Sequence, residues 1–263
     1  MIAHLHSLFL NSTGVCTDTR KLCKGNIYFA LKGPSFNGNI FATQAIQQGA
    51  IAAIVDDSTI NGENIYLVEN VLTTLQQLAS FHRQVLKIPV IGLTGSNGKT
   101  TTKELISRVL GSSYNVLFTE GNLNNHIGVP LTLLRLKNEH QIAVIEMGAN
   151  HQGEIHELSK IAMPNFGLIT NIGKAHLEGF GGIDGVIKGK TELYRHLMEN
   201  DGIIFCRKNN ELLTNNLHNY QKVIFYSTQP DTCIYGELST PASVVKFNWF
   251  ENQNKIAEIT THL

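Results

Sequence analysis

The run Thr94-Gly95-Ser96-Asn97-Gly98-Lys99-Thr100-Thr101-Thr102-Lys103 carries the chemistry most directly readable from residue type. Glycines let backbone N–H groups turn toward an anion. The lysine and hydroxyl that follow Gly98 can reach the terminal phosphates of a nucleoside triphosphate and its Mg²⁺ ion. The strict phosphate-loop pattern asks for glycine at position 93, where this chain has Leu93, with Gly92 and Gly95 close by. The context nevertheless fits. Ile88 to Leu93 reads as an apolar strand, and Leu105, Ile106, Val109 and Leu110 recur with helical period. The helix N-terminus then adds its positive dipole end to the cradle. A nucleoside triphosphate is the expected ligand, bound by Gly95, Ser96, Asn97, Gly98, Lys99, Thr100 and Thr101.

Three further groups fall near the ends of apolar runs. Glu146 closes Ile142-Ala143-Val144-Ile145, a placement that suits nucleotide-bound Mg²⁺ as well as it suits a solvated strand end. His176 follows the strand through Ile169; Mg²⁺ prefers oxygen, so a histidine there is either an unusual ligand or a supporting group. After Gly181, the residues Ile183, Val186, Ile187, Leu193, Tyr194 and Leu197 form an apolar stripe that contains Lys190, with Lys188 facing away. Burial would lower the pKa of such a lysine and expose a neutral amine able to add carbon dioxide as a carbamate. A snorkelling ammonium fits the same pattern. The loop Gly121 to Pro130 holds Asn122, Asn124 and Asn125, amides that serve equally as turn formers or as partners of a phosphate.

The elements that must position these groups are of the α/β type. Ile27 to Leu31, Ala50 to Val55 and Ile65 to Val68 read as strands, with a helix from about Ile40 to Gln48. A helix with apolar residues from Val71 to Leu86 ends before Pro89, and a domain boundary is expected near 86 to 88. Beyond it, Ile88 to Leu93, Val116 to Phe118, Ile142 to Ile145, Phe166 to Ile169, Ile203 to Phe205 and Val223 to Phe225 are near-continuous apolar runs. Separated by helical stretches, they predict a mostly parallel sheet with helices on both faces and ligands at the strand carboxyl ends. Val244 to Trp249 and Lys255 to Ile259 read as late antiparallel strands.

Composition excludes some classes. The 263 residues balance twenty-one basic against twenty-one acidic side chains, so no global field draws nucleic acid or anionic lipid. Four cysteines without a C-x-x-C spacing, and the lack of a leader or a long apolar run, predict a reduced, cytoplasmic, membrane-free chain. Most of the eleven histidines are expected to be structural or solvated.

Taken together, Thr94 to Lys103, Gly121 to Pro130, Glu146-Met147-Gly148-Ala149-Asn150 and Asn171 to Gly181 resemble segments of the Mur ligases, the ATP-dependent amide-bond-forming enzymes of peptidoglycan synthesis. The asparagine-rich loop is similar to that of the member adding D-alanyl-D-alanine. Thr17-Asp18-Thr19-Arg20, Phe29 to Gly33 and Asn37 to Phe41 resemble the family's UDP-binding domain, with Asn39 where a histidine is usual.

The resemblance implies an N-terminal UDP-substrate domain over 1–86 and a P-loop-type ATP-binding domain over 87–263. It implies catalytic roles for Lys99, His176 and Lys190, with Asn124 and Asn125 near the nucleotide. One Mg²⁺ would lie on Thr100 and Glu146, and a second on His176 and carbamylated Lys190. Substrate contacts would come from Thr17, Asp18, Thr19, Arg20, Lys32, Gly33 and Asn37. The partners implied are UDP-N-acetylmuramoyl-tripeptide and D-alanyl-D-alanine, acted on by a monomer. Two departures stand out: Cys206-Arg207-Lys208-Asn209-Asn210 replaces the usual Asn and Asp after the strand at 203, and the family's C-terminal domain does not follow Leu263, so the chain reads as a fragment that is expected to be inactive as a ligase on its own. The rival readings are a ligase adding another amino acid, a folate or cyanophycin ligase, and a nucleotide- or UDP-sugar-binding chain without ligase activity.

Overall fold

The computed structural model describes residues 1–240 and 244–261. Its contacts group into two compact units: Met1–Val90 with Lys103–Met147 and Glu157–Met163, and Ile91–Thr102 with Gly148–His156 and Pro164–Leu263. Both mix helices with largely parallel strands, the expected α/β class.

In the first unit, short strands lie in the order Val15–Cys16, Ile27–Phe29, Ala52–Val55, Ile65–Leu67, all parallel, with the two central ones buried. Ile27, Tyr28, Phe29, Ala52, Ala53, Ile54 and Val55 are all fully buried. This explains why these runs show no polar alternation. Because the strands are parallel, their carboxyl ends deliver Thr17 to Arg20, Lys32 and Asp56 to one edge of this sheet. The expected helix near Ile40 to Gln48 is a 3₁₀ turn, Gly38–Phe41, followed by the α-helix Ala42–Gln47.

The helix Val71–Leu86 starts where the Asn70 side chain accepts the Thr73 N–H at 2.8 Å, and it stops at a left-handed Lys87 ahead of Pro89. Its buried stripe includes Leu75, Leu78, His82 and Arg83. Arg83 donates to the carbonyls of Ala162 and Met163, both at 3.2 Å, at the end of the helix Glu154–Ala162. A guanidinium there satisfies carbonyls that have no partner within their own helix. The same unit pairs Val116–Phe118 parallel with Ile142–Glu146.

In the second unit the strands run in the order Asn254–Thr260, Lys246–Glu251, Ile234–Thr240, Val223–Ser227, Ile203–Arg207, Phe166–Ile169, Val90–Thr94. Pairing is parallel from Val90–Thr94 to Ile234–Thr240 and antiparallel for the last two strands. Part of the Val244 to Trp249 stretch begins later than expected, at Lys246. The single apolar-striped helix expected after Gly181 is two helices, Ile183–Lys190 and Glu192–Glu199. At the break, Thr191 Oγ1 bonds back to the Ile187 and Lys188 carbonyls at 2.8 and 3.3 Å, beside the Thr191 N–H that also reaches Ile187.

Candidate active site

The loop after Val90–Thr94 is held by the segment that follows Phe166–Ile169. Thr170 Oγ1 donates to the Asn97 carbonyl at 2.7 Å, and the Ser96 N–H donates to the Asn171 carbonyl at 3.0 Å. Asn171 grips Asn97 through both ends of its amide, and Ser96 Oγ exchanges hydrogen bonds with Gly173 at 2.9 and 3.2 Å. Gly95 has a φ of +148°, and a Cβ there would lie 2.0 Å from Thr170 Oγ1. Glycine is therefore required by both backbone and space. The loop feeds the thirteen-residue helix Lys99–Gly111, whose first N–H groups point out of its end. Lys99 Nζ curls onto the loop, donating to the carbonyls of Gly95 at 2.9 Å and Ser96 at 3.3 Å. Thr100 and Thr101 are exposed.

Lys190 is 1% exposed, so its ammonium is not snorkelling. Its Nζ donates to the Ala149 carbonyl at 3.2 Å and lies 5.1 Å from the centroid of the Phe180 ring. Burial, reinforced by the charge of Lys99, pulls its pKa down to about 8, although Glu154 and Glu192 act the other way. Lys188 is exposed, as the stripe predicts. His176 is exposed, in a left-handed conformation at the start of Leu177–Phe180, and its carbonyl accepts the Phe180 N–H at 3.1 Å. Glu192, which residue pattern did not single out, accepts the N–H groups of Gly153 and His156 at 2.7 and 2.8 Å and fixes the segment that carries Ala149.

In the first unit, Glu146 is 1% exposed. Its Oε1 accepts from Asn124 Nδ2 at 2.8 Å, and its Oε2 is buried without a hydrogen-bond partner. A buried acceptor left open is costly unless something answers it, and a hard divalent cation is such a group. Among the described residues no cluster of three or more His, Cys, Asp or Glu could by itself hold a metal. A cation on Glu146 would therefore draw on hydroxyl, phosphate or water oxygens, which suits Mg²⁺. The two loop asparagines differ. Asn125 Oδ1 accepts the N–H groups of Ile127 and Gly128 at 3.1 and 2.8 Å as a turn former, whereas Asn124 meets Glu146.

At the edge of the four-stranded sheet, Asp18 and Arg20 pair at 2.7 Å. Arg20 hydrogen bonds hold the Asp18 carboxyl down at about 2. Thr17 and Thr19 are half-buried beside them. Lys32 and Gly33 form an exposed hairpin with Phe36–Asn37, and Lys32 Nζ pairs with Asp56 Oδ1 at 2.8 Å. Asn39 is fully buried: its amide bonds Asn37 and Asp56 at 2.9 and 3.0 Å, so it braces the fold at this point. Arg207, the last residue of the strand Ile203–Arg207, is exposed, and Lys208 just beyond it pairs with Asp231 at 3.6 Å.

Residues 93–263 match the profile of the Mur ligase middle domain, and residues 11–90 match that of the Mur ligase family catalytic domain. The chain belongs to the Mur ligase family. It is 46% identical over 205 residues to the UDP-N-acetylmuramoyl-tripeptide–D-alanyl-D-alanine ligase of Bacillus subtilis, a match that covers 77% of this chain and 45% of that one. The fold superimposes on crystal structure I of MurF from Acinetobacter baumannii with a TM-score of 0.87 at 32% identity, covering 99% of this chain and 60% of that one. MurF ligase from Thermotoga maritima in complex with ADP gives a TM-score of 0.85 at 29% identity, over 96% of this chain and 58% of that one. The chain spans about half the length of the curated relatives it matches. No helix among the described residues is long and apolar enough to cross a membrane, and the four cysteines form no disulfide.

Proposed function

We propose that this chain carries the UDP-substrate and ATP sites of a ligase that joins D-alanyl-D-alanine to UDP-N-acetylmuramoyl-tripeptide in peptidoglycan synthesis. The observation that carries the reading is the braced phosphate loop, glycine-dependent at Gly95 and tied by Thr170, Asn171 and Gly173. Preorganised donors of this kind stabilise charge without reorganising during the reaction.

In this reading, residues 1–86 receive the uridine nucleotide through Thr17, Asp18, Thr19, Arg20, Lys32, Gly33 and Asn37. Residues 87–263 receive ATP through Gly95 to Thr101, with Asn124 and Asn125 as further candidate contacts. Lys99 exchanges its carbonyl acceptors for the γ-phosphoryl group. The tripeptide carboxylate attacks the γ-phosphorus and ADP leaves; the amine of D-alanyl-D-alanine then attacks the acyl carbon and phosphate leaves. Mg²⁺ supplies charge stabilisation for both steps. Thr100 and Glu146 are ligand candidates for one ion, and His176 with carbamylated Lys190 for another. The low pKa of Lys190 favours the neutral amine that carbamylation needs. In this proposal the ligase acts in the cytoplasm as a monomer.

The test is turnover of ATP, the tripeptide nucleotide and D-alanyl-D-alanine by the protein, with product identified by mass. Pentapeptide formation that is lost in Lys99→Ala supports the reading. Binding of ATP or of the uridine nucleotide without any product supports a non-catalytic binding role, and product only with a different amino acid points to another ligase of the family.

A further inference from the structure

Lys103 has none of the roles set out above, yet its side chain is fully buried. An ammonium taken out of water costs several kcal/mol unless it is paired and hydrogen-bonded. Its Nζ donates to the Thr119 carbonyl at 2.6 Å, pairs with Glu104 Oε1 at 2.9 Å and lies 5.6 Å from the centroid of the Phe118 ring.

Thr119 is the link to the site. Fully buried just beyond the strand Val116–Phe118, it donates its N–H to the Val144 carbonyl at 3.1 Å, and its Oγ1 accepts the N–H of Glu146 at 3.0 Å. Glu146 in turn has Oε1 held by Asn124 and Oε2 buried and unanswered. A water or a neutral donor would satisfy a lone carbonyl at lower desolvation cost. A charge-assisted bond from a buried lysine is stronger, and it falls on the residue that anchors the Glu146 backbone.

Resting on the reading of Glu146 as a cation ligand, we propose that Lys103 is a positioning residue. Its ammonium clamps Thr119, and Thr119 holds Glu146 so that Oε2 faces a divalent cation. Such outer partners fix ligand orientation in metal sites, and their loss typically weakens metal affinity about ten- to hundredfold.

The probe is Mn²⁺, titrated into the protein with ADP present and followed by electron paramagnetic resonance. Metal-free ADP affinity is measured alongside. Lys103→Met and Thr119→Val are expected to weaken Mn²⁺ binding about tenfold or more while metal-free ADP affinity holds within about twofold. Lys103→Arg and Thr119→Ser should recover most of the loss. Glu146→Gln is the control for the underlying reading: parental Mn²⁺ affinity in that variant overturns both the metal assignment and the clamp. Loss in Glu146→Gln with parental affinity in Lys103→Met and Thr119→Val overturns the clamp alone, as does an equal loss of metal-free ADP binding. Should Lys103→Met fail to fold, the Thr119→Val and Thr119→Ser pair decides.

Discussion

Asn171 holds Asn97 from both sides: its Oδ1 accepts the Asn97 N–H at 3.1 Å, and its Nδ2 donates to the Asn97 carbonyl at 2.9 Å. One side chain thereby sets the peptide orientation at the centre of the phosphate loop. Asn171→Ala removes both bonds, each worth about 0.5–1.5 kcal/mol, so nucleotide affinity is expected to fall about 5- to 140-fold. Calorimetric titration with ADP checks this. Parental affinity in a folded variant would show that the loop keeps its shape without the brace.

Gly95→Ala is expected to be more severe. A backbone conformation reserved for glycine costs about 1–3 kcal/mol for another residue, and the new Cβ also meets Thr170 Oγ1. Nucleotide binding should be lost with a lowered thermal midpoint. Pairing it with Thr170→Gly should recover part of the stability, because the clash is removed while the strained φ persists.

Lys190 should respond to pH and to carbon dioxide. Its pKa near 8 leaves about a fifth of the amine neutral at pH 7.4, against about a thousandth for an unperturbed lysine. With ¹³C-bicarbonate, a carbamate resonance is expected that grows with a midpoint near pH 8 and is missing from Lys190→Ala. The linkage has a definite sign. Between about pH 8 and the ordinary 10.5 the unfolded chain binds the proton and the folded one does not, so the unmodified protein gains stability as pH rises through that window. A flat ¹³C spectrum across the range would remove carbamylation from the proposal.

Acid should weaken the first unit through a buried histidine pair. His6 Nε2 lies 3.0 Å from His82 Nδ1, and His82 Nε2 lies 2.9 Å from the Leu136 carbonyl. Since that carbonyl only accepts, His82 donates from Nε2 and His6 donates to Nδ1. Both pKa values are lowered, chiefly by burial. The stability of the neutral pair is present above the unfolded value of 6.5 and is lost as pH falls through it toward the lower folded values. In the second unit, His196 is lowered for the same reason and gives that unit its own loss of stability in acid. Urea unfolding at pH 7.5 and 5.5 should show the loss. His82→Gln, which keeps a donor for Leu136 without a titrating ring, should show less of it.

The glycine-rich strand-to-helix loop, the parallel strand runs and the family were legible in the chain because each rests on local information. Gly95, Gly98 and Lys99 have their meaning in a strand-to-helix turn, and strands buried on both faces need unbroken apolar runs. Tertiary structure decided the rest. The apolar stripe around Lys190 was equally compatible with an ammonium in water, since a four-carbon stem can reach either way; packing against Phe180 and Ala149 resolved it. Asn124 and Asn125 are identical in type and adjacent, yet one meets Glu146 and the other closes a turn. Nothing in the residue pattern singles out Lys103. Its burial under Phe118 and its bond to Thr119 join residues sixteen positions apart, a distance in sequence across which neither period nor propensity carries a signal.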